Sequence, residues 1–416
     1  MFQKYILSIL ISLTILSSLL AQEIKQTGGF ARIQGMGNNP YIIDPYFITV
    51  NPAWGSQYPN FLFGDLGSSA GANFGAGGVG QFVAANFRLG SGLTLGGILS
   101  RNDFNGISIA RLDPLGIVST INTIAGNQVI ALNNNIELMG TLKAGNFALG
   151  LGIAYASTNN EFSPAQGEGY VGSATQLGFN AGILAKLTPG FRLDAGASLI
   201  LPSASWDPVA PTGTLEGSQT IILVNGRLFI DVSSKFTFVP SVTFLTASGT
   251  VDNGLVTPST SRDLQSATAF LVGAGTNYTV GDFLLAGGVA LASVSQTTPG
   301  VENVSPELTD SRLIFPVWNL GVEWNLTDWF VGRFGYIAAT GSFTHEQDSP
   351  TGPIGNVDEV INTFYQPLGA TVGVGFRLGN FSLDATVNED VLRQGLNNIG
   401  GGGPTFAYLS LAYAIP

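Results

Sequence analysis

From about residue 61 onward, apolar and polar side chains alternate with a period of two, in runs joined by alternately short and long connections. The clearest unit is 376–387. Before Gly379-Asn380, Phe376 and Leu378 fall on one face and Arg377 on the other. After it, Phe381, Leu383, Ala385 and Val387 share a face, with Ser382, Asp384 and Thr386 opposite. A Gly-Asn pair between two alternating runs signals a tight hairpin, because such turns need φ > 0 and those residues tolerate it. The same pattern predicts hairpins at 79–90 with 93–101, 136–143 with 147–155, 175–187 with 191–201, 220–232 with 236–247, 268–280 with 283–294, 313–326 with 330–339, and 364–378 with 381–387. Strands at 61–68 and 405–415 open and close the series. Residues 102–133 form a long insert with an apolar patch at 117–124 that reads as a short helix.

Composition narrows this to a membrane protein. Charged residues are 10% of the 416, and Gly numbers 56. Mean hydropathy is +0.31. A soluble domain carries roughly 25% charged residues. After the first twenty-odd residues, no apolar run reaches the ~18 residues a spanning helix needs. Apolar content that is high yet interleaved suits a membrane β-barrel, where closure leaves no unpaired backbone edge in lipid. The net charge of −11 provides no basic stripe for nucleic acid. Zero cysteines remove disulfides, thiolate metal sites and Cys nucleophiles.

The organisation read from the sequence has three parts. Residues 1–21 form a signal peptide: Lys4 precedes an apolar core, and Ala21 precedes Gln22-Glu23. Residues 22–58 are a polar, turn-rich segment expected to plug the lumen or hang in the periplasm. Residues 59–416 form the barrel. The expected fold is all-β: a transmembrane outer-membrane β-barrel of 14–16 antiparallel strands with an N-terminal plug. Short turns face the periplasm and long loops the outside.

Within 22–58, Gly35-Met36-Gly37 is followed by Asp44 and then by Asn51-Pro52-Ala53-Trp54. This pattern resembles the N-terminal segment of FadL-type outer-membrane proteins, a superfamily that includes PorV-like members. The resemblance implies fourteen strands and a hatch near the ligand route, with Gly35, Gly37, Asn51, Pro52 and Ala53 as gating candidates. Read from the residues alone, Asn51 caps a turn that Pro52 stiffens.

An aromatic follows most short turns (Phe147, Phe191, Phe236, Phe283, Trp329, Phe381), as expected of a periplasmic girdle. The opposite face carries Arg88, Lys143, Arg192, Asp194, Arg227, Asp231, Arg333, Arg377 and Asp384. A charge facing lipid at midplane costs about 2–4 kcal/mol, so these are expected to form a lumen network. Cross-strand pairs Arg192–Asp231 and Arg377–Asp384 are expected within it. Ala148, Gly150, Gly152 and Ala154, with Leu284, Leu313, Phe315 and Val317, read as a small or apolar inner wall. Leu284, Phe315 and Val317 are the ligand-route candidates. Pro240, Pro316 and Pro367 mark bulges or a lateral opening.

No catalytic constellation can be assembled around the single histidine, His345, so the chain does not read as an enzyme. No cofactor and no metal site are expected. Membrane lipids, lipopolysaccharide, a hydrophobic solute and an exported protein are the partner classes considered, and nucleic acid is excluded. Uptake of hydrophobic small molecules leads. A non-transporting interaction or secretion-associated barrel is the alternative.

Overall fold

The computed structural model describes residues 28–67, 82–101, 104, 106–126, 130–132, 134–163, 169–208, 213–256, 258–300, 306–348, 357–361, 369–387 and 406–416. The signal peptide and Pro367 lie outside this set. The wall is built from β1 (Phe61–Gly67), β2 (Phe82–Arg88), β3 (Leu93–Arg101), β4 (Asn134–Ala144), β5 (Phe147–Phe162), β6 (Tyr170–Thr188), β7 (Phe191–Pro208), β8 (Leu215–Asp231), β9 (Phe236–Asn253), β10 (Thr260–Asp263), β11 (Ser266–Val280), β12 (Phe283–Thr298), β13 (Glu307–Asn325), β14 (Phe330–Asp348), β15 (Val357–Ile361), β16 (Ala370–Leu378), β17 (Phe381–Val387) and β18 (Phe406–Ala414). Sequence neighbours pair antiparallel around one sheet, and β1 pairs with both β2 and β18, which closes it. β10 and β11 both pair with β9, and β15 and β16 both pair with β14. The eighteen segments therefore occupy sixteen positions, the upper end of the expected range.

The outward face explains the membrane position. On β5 it presents Phe147, Leu149, Leu151, Ile153 and Tyr155, all exposed, and then turns polar at Ser157 and Asn159. β12 likewise presents Phe283 and Leu285 before Ser293, Ser295 and Thr297. At ~3.3 Å per residue and a tilt of roughly 40°, such a run is on the order of 20–25 Å high, the height of a bilayer's apolar band. The aromatics after the short turns sit at its lower edge, where Phe283 stacks on Trp324 with centroids 5.2 Å apart.

The strands run further outward than the apolar alternation predicts. β6 and β13 have 19 residues each. Above the belt, hydroxyl pairs hold neighbouring strands together: Ser173–Ser205 and Thr175–Ser203 at 2.8 Å, and Thr297–Thr309 at 3.1 Å. In water both faces of a strand are free to be polar, so period-two hydropathy fades while the backbone ladder continues.

Two of the prolines disturb the ladder differently. At Pro240 the β8–β9 pairing lapses and resumes in the same register, as expected where an N–H is missing. At Pro316 the register shifts: Ile314 and Val317 are neighbours of Gly341 and Ala339, so Phe315 and Pro316 share one place. This bulge corrects the inner-wall assignment. Above it the inward parity reverses, which puts Leu313 opposite Ser293 on the outer face. Phe315, 57% exposed, sits beside Leu291 and Thr340 on that same face. Phe315 is therefore a belt residue, whereas Val317, opposite Ala290 and Ala339, points inward.

Candidate functional site

The lumen is filled from both ends. From the periplasmic side comes the segment 28–58, in which no residue is exposed. It contains helix α1 (Phe30–Gly35) and two 3₁₀ turns, Pro45–Thr49 and Pro52–Ser56. Both turns start the same way. Asp44 and Asn51 are extended N-caps whose side chains accept from Tyr46 N and Ala53 N at 2.9 Å, with proline at the first helical position. Short Asx side chains satisfy the free N–H groups, and proline lacks one to satisfy.

Each cap also uses its second atom: Asp44 Oδ2 accepts from Arg32 within the segment, and Asn51 reaches the wall. Asn51 Nδ2 donates to Asp194 Oδ1 at 2.7 Å and to the carbonyls of Ile183 and Ala195. Arg227 Nε donates to Asp194 at 2.9 Å, and its Nη1 donates to Pro40 O and Ile42 O. The guanidinium lies 3.6 Å from the Phe47 ring centroid. Asp194 and Arg227 thus clasp the segment to β7 and β8.

A second clasp lies on β13, β14, β16 and β17. Arg32 of α1 pairs with Asp44 at 3.0 Å and with Glu323 at 2.7 Å. Arg333 joins Glu323 to Asp384 at 2.7 Å each, and Arg377 completes the chain with Asp384 at 2.9 Å. Three arginines meet three carboxylates, and such balance is what buried ions need. Burial opposes the Arg32 charge, but Glu323 and Asp44 outweigh it and raise its pKa. Burial pushes the Asp44 carboxyl up to about 6, against the pull of Arg32 and the Tyr46 N–H. A third tie runs from Ser410 Oγ and Asp65, which bond to each other, to the N–H groups of Ala31 and Phe30.

The wall lacks side chains where the segment comes closest. A Cβ at Gly150 would lie 2.8 Å from Ala53 Cα, and one at Gly275 or Gly288 would enter the Tyr41 ring. Gly37, at φ +72°, threads between Tyr336 N and Leu320 O. The small inner-wall residues therefore give the segment room, and Leu284 packs against the same cluster.

From the outer side comes the β3–β4 insert. Helix α2 (Ile117–Ala125) buries Ile117 and Ile121, one turn apart, against Ala156, Ala174, Ala204, Leu215 and Val251 of β5–β9. Its approach is stitched to the wall by Ser100 to Ala110 O at 2.7 Å, Asn135 to Ile109 O at 3.2 Å, and Gln176 to Arg111 O at 2.7 Å. An aromatic column joins the two fillings along β1 and β2. Trp54, Tyr58, Phe61, Phe63, Phe82 and Phe104 follow one another with centroids 5.1–6.2 Å apart.

The charged residues expected to form one network separate into groups. Asp194 and Arg227 form one clasp, and Arg333, Arg377 and Asp384 belong to the other. The expected Arg377–Asp384 pair is formed. Arg192 forms no ion pair with Asp231 among the described residues: it lies 4.9 Å from the Phe229 centroid, while Asp231 accepts from Thr237 at 2.7 Å. Arg88 and Lys143 stay exposed and flank, with Ser56, a cavity of about 190 Å³ at the periplasmic mouth. His345 bonds to Asp310 at 2.6 Å near the outer end of β14. Arg32 was missed by the sequence reading. Its signal was its isolation, as the one basic residue between Lys25 and Arg88.

A closed antiparallel wall with an apolar belt outside, a polar lumen inside and an internal plug defines an outer-membrane β-barrel. No family profile and no curated sequence matches the chain. Among solved structures it is similar to a FadL homologue from Pseudomonas aeruginosa, at 12% identity and TM-score 0.42, covering 92% of this chain and 98% of that one. It is also similar to the Pseudomonas putida toluene transporter TodX, at 9% identity and TM-score 0.37, covering 92% and 97%. The FrpB iron transporter from Neisseria meningitidis matches at 10% identity and TM-score 0.37 over 80% of this chain, which spans 62% of FrpB's length.

Proposed function

We propose that this barrel takes up hydrophobic small molecules across the outer membrane. Segment 28–58 is its hatch, and the β3–β4 insert is an outer constriction. The aromatic column from Phe104 to Trp54 carries the reading. It links the outer filling to the Asn51-Pro52-Ala53 turn through uncharged aromatic rings, a path that suits an apolar solute and not ions. Gly35, Gly37, Asn51, Pro52 and Ala53 are assigned to the hatch. Asp194, Arg227, Arg333, Arg377 and Asp384 hold it, and Leu284 and Val317 line the inner wall beside it. The two clasps are discrete polar contacts, so the hatch can shift by exchanging partners while the wall stays closed.

The test is deletion of residues 28–58 from the full chain. The wall has its own closure, so the truncated protein is expected to keep heat-modifiable migration. Its single-channel conductance in planar bilayers should rise several-fold. Unchanged conductance in a folded truncation would sink the hatch assignment. Uptake of a radiolabelled apolar solute by cells with and without the barrel tests the solute class, with equal uptake counting against it.

A further inference from the structure

Between the two fillings, on the β4–β7 side, lies a layer of polar side chains that the fillings touch at one point, Ser108 of the insert on Glu137. Register places Gly152 opposite Asn180, Asn180 opposite Ser198, and Glu137 opposite Ala154 one row above. Below the layer, Gly150 faces Pro52 and Ala53, and Gly182 faces Asn51. Above it, a Cβ at Gly178 would lie 2.8 Å from Ile109 Cβ. The layer is therefore the seam between hatch and insert.

Its polar atoms are buried and short of partners. Glu137 is 0% exposed, Asn180 2% and Ser198 4%. Glu137 Oε2 accepts from Ser108 Oγ of the insert at 3.3 Å. Among the described residues, Glu137 Oε1, both amide atoms of Asn180 and Ser198 Oγ have no hydrogen-bond partner. No lysine or arginine pairs with Glu137 among those residues, whereas Asp194, Glu323 and Asp384 each have an arginine. The absent side chain at Gly152 lets the carboxylate lean toward the amide. A Cβ there would lie 2.9 Å from Glu137 Oε1 and 3.5 Å from Asn180 Cβ. Buried polar groups are ordinarily paired, and a buried carboxylate above all needs donors or a cation.

We infer that Glu137, Asn180 and Ser198 form a binding site for the polar head of the solute, selecting a hydrogen-bond-donating cationic head, a primary ammonium, over a carboxylate. The inference rests on the uptake reading for the identity of the ligand as cargo. An ammonium supplies donors and a positive charge to the carboxylate and the amide oxygen that meet over Gly152, with the Ser198 hydroxyl beside Asn180. A carboxylate head brings no donor to the Glu137 and Asn180 oxygens, and ionised Glu137 would repel it in a water-poor seam. Once seated, the head competes with Ser108 for Glu137 and lies directly over Asn51, so occupancy would loosen both fillings.

The experiment titrates the purified full chain in detergent at pH 9, where butylammonium keeps its proton, with n-butylammonium, n-butanol and butyrate, read by isothermal titration calorimetry. The wild type is expected to bind butylammonium at one site, at least ten-fold tighter than butanol, with no heat from butyrate. Glu137→Gln should erase the ten-fold preference. Gly152→Ala, which fills the gap the carboxylate crosses, should weaken butylammonium binding as well. Glu216→Gln, an exposed carboxylate on the outer part of β8, should change nothing. Heat-modifiable migration verifies that each variant is folded, and Gly152→Ala stands in if Glu137→Gln is not. Equal binding by wild type and the folded variants would overturn the inference, as would butyrate binding like butylammonium or no binding at millimolar probe. Uptake of apolar solute without Glu137-dependent selectivity refutes this inference alone. Glu137-dependent binding without uptake refutes the cargo reading alone.

Discussion

Asn51 shows how one short side chain serves two scales. Its Oδ1 caps the turn that Pro52 begins, and its Nδ2 reaches Asp194 and two wall carbonyls. Asn51→Ala removes the cap and the amide donor to Asp194, which keeps its ion pair with Arg227. Losing buried hydrogen bonds of this kind costs on the order of 1–3 kcal/mol. The expected result is a lower thermal midpoint in detergent and more frequent channel openings in bilayers. Unchanged values for both would show that the clasp does not hold the hatch. Asn51, Pro52 and Ala53 were legible as a unit because Asx-Pro has a local meaning. That Asn51 meets Asp194, 143 positions away, was not, because nothing local encodes that distance.

At the level of elements, the helix in the β3–β4 insert was legible and its destination was not. The apolar patch at 117–124 reads as a short helix, close to the observed Ile117–Ala125, whose buried Ile117 and Ile121 lie on one face. A one-faced helix on a long outer connection can lie on the membrane, cap the barrel or enter it. Entry into the lumen depends on Ala156, Ala174 and Ala204 leaving room on three separate strands. Ile121→Asp places a carboxylate in that contact, where an unpaired charge is strongly disfavoured. The insert is expected to leave the lumen and become sensitive to protease added to intact cells, while the wall stays resistant. A protected insert in the folded variant would show that its polar stitches alone suffice. The β13 bulge teaches the converse. A strict period-two reading put Leu313 and Phe315 inside, and a single extra residue near Pro316 reversed the parity above it.

For the whole molecule, closure is the controlling fact. β18 pairs with both β1 and β17, so its loss would expose two edges of unpaired backbone groups to lipid. Deleting residues 406–414 is expected to abolish heat-modifiable migration and membrane assembly entirely. By contrast, deleting 28–58 should leave both. A folded barrel without β18 would mean that β17 can close on β1 directly. The clasp on β13, β14, β16 and β17 meets α1, and the other meets the Asn51 turn. Segment 28–58 is therefore fastened at points far apart around the ring.

The sequence by itself determined the wall: its alternation, its short turns, its aromatic lower edge and the inward placement of most charges. Those follow from a period of two against a two-sided environment, lipid outside and polar lumen inside, and each strand reports it independently. The tertiary structure alone decided what fills the lumen and how. Arg32 meeting Glu323, glycines facing Tyr41 and Ala53, and Glu137 left without a cation among the described residues are consequences of bringing distant strands around a common axis. Such contacts depend on stagger and closure, which no single strand carries.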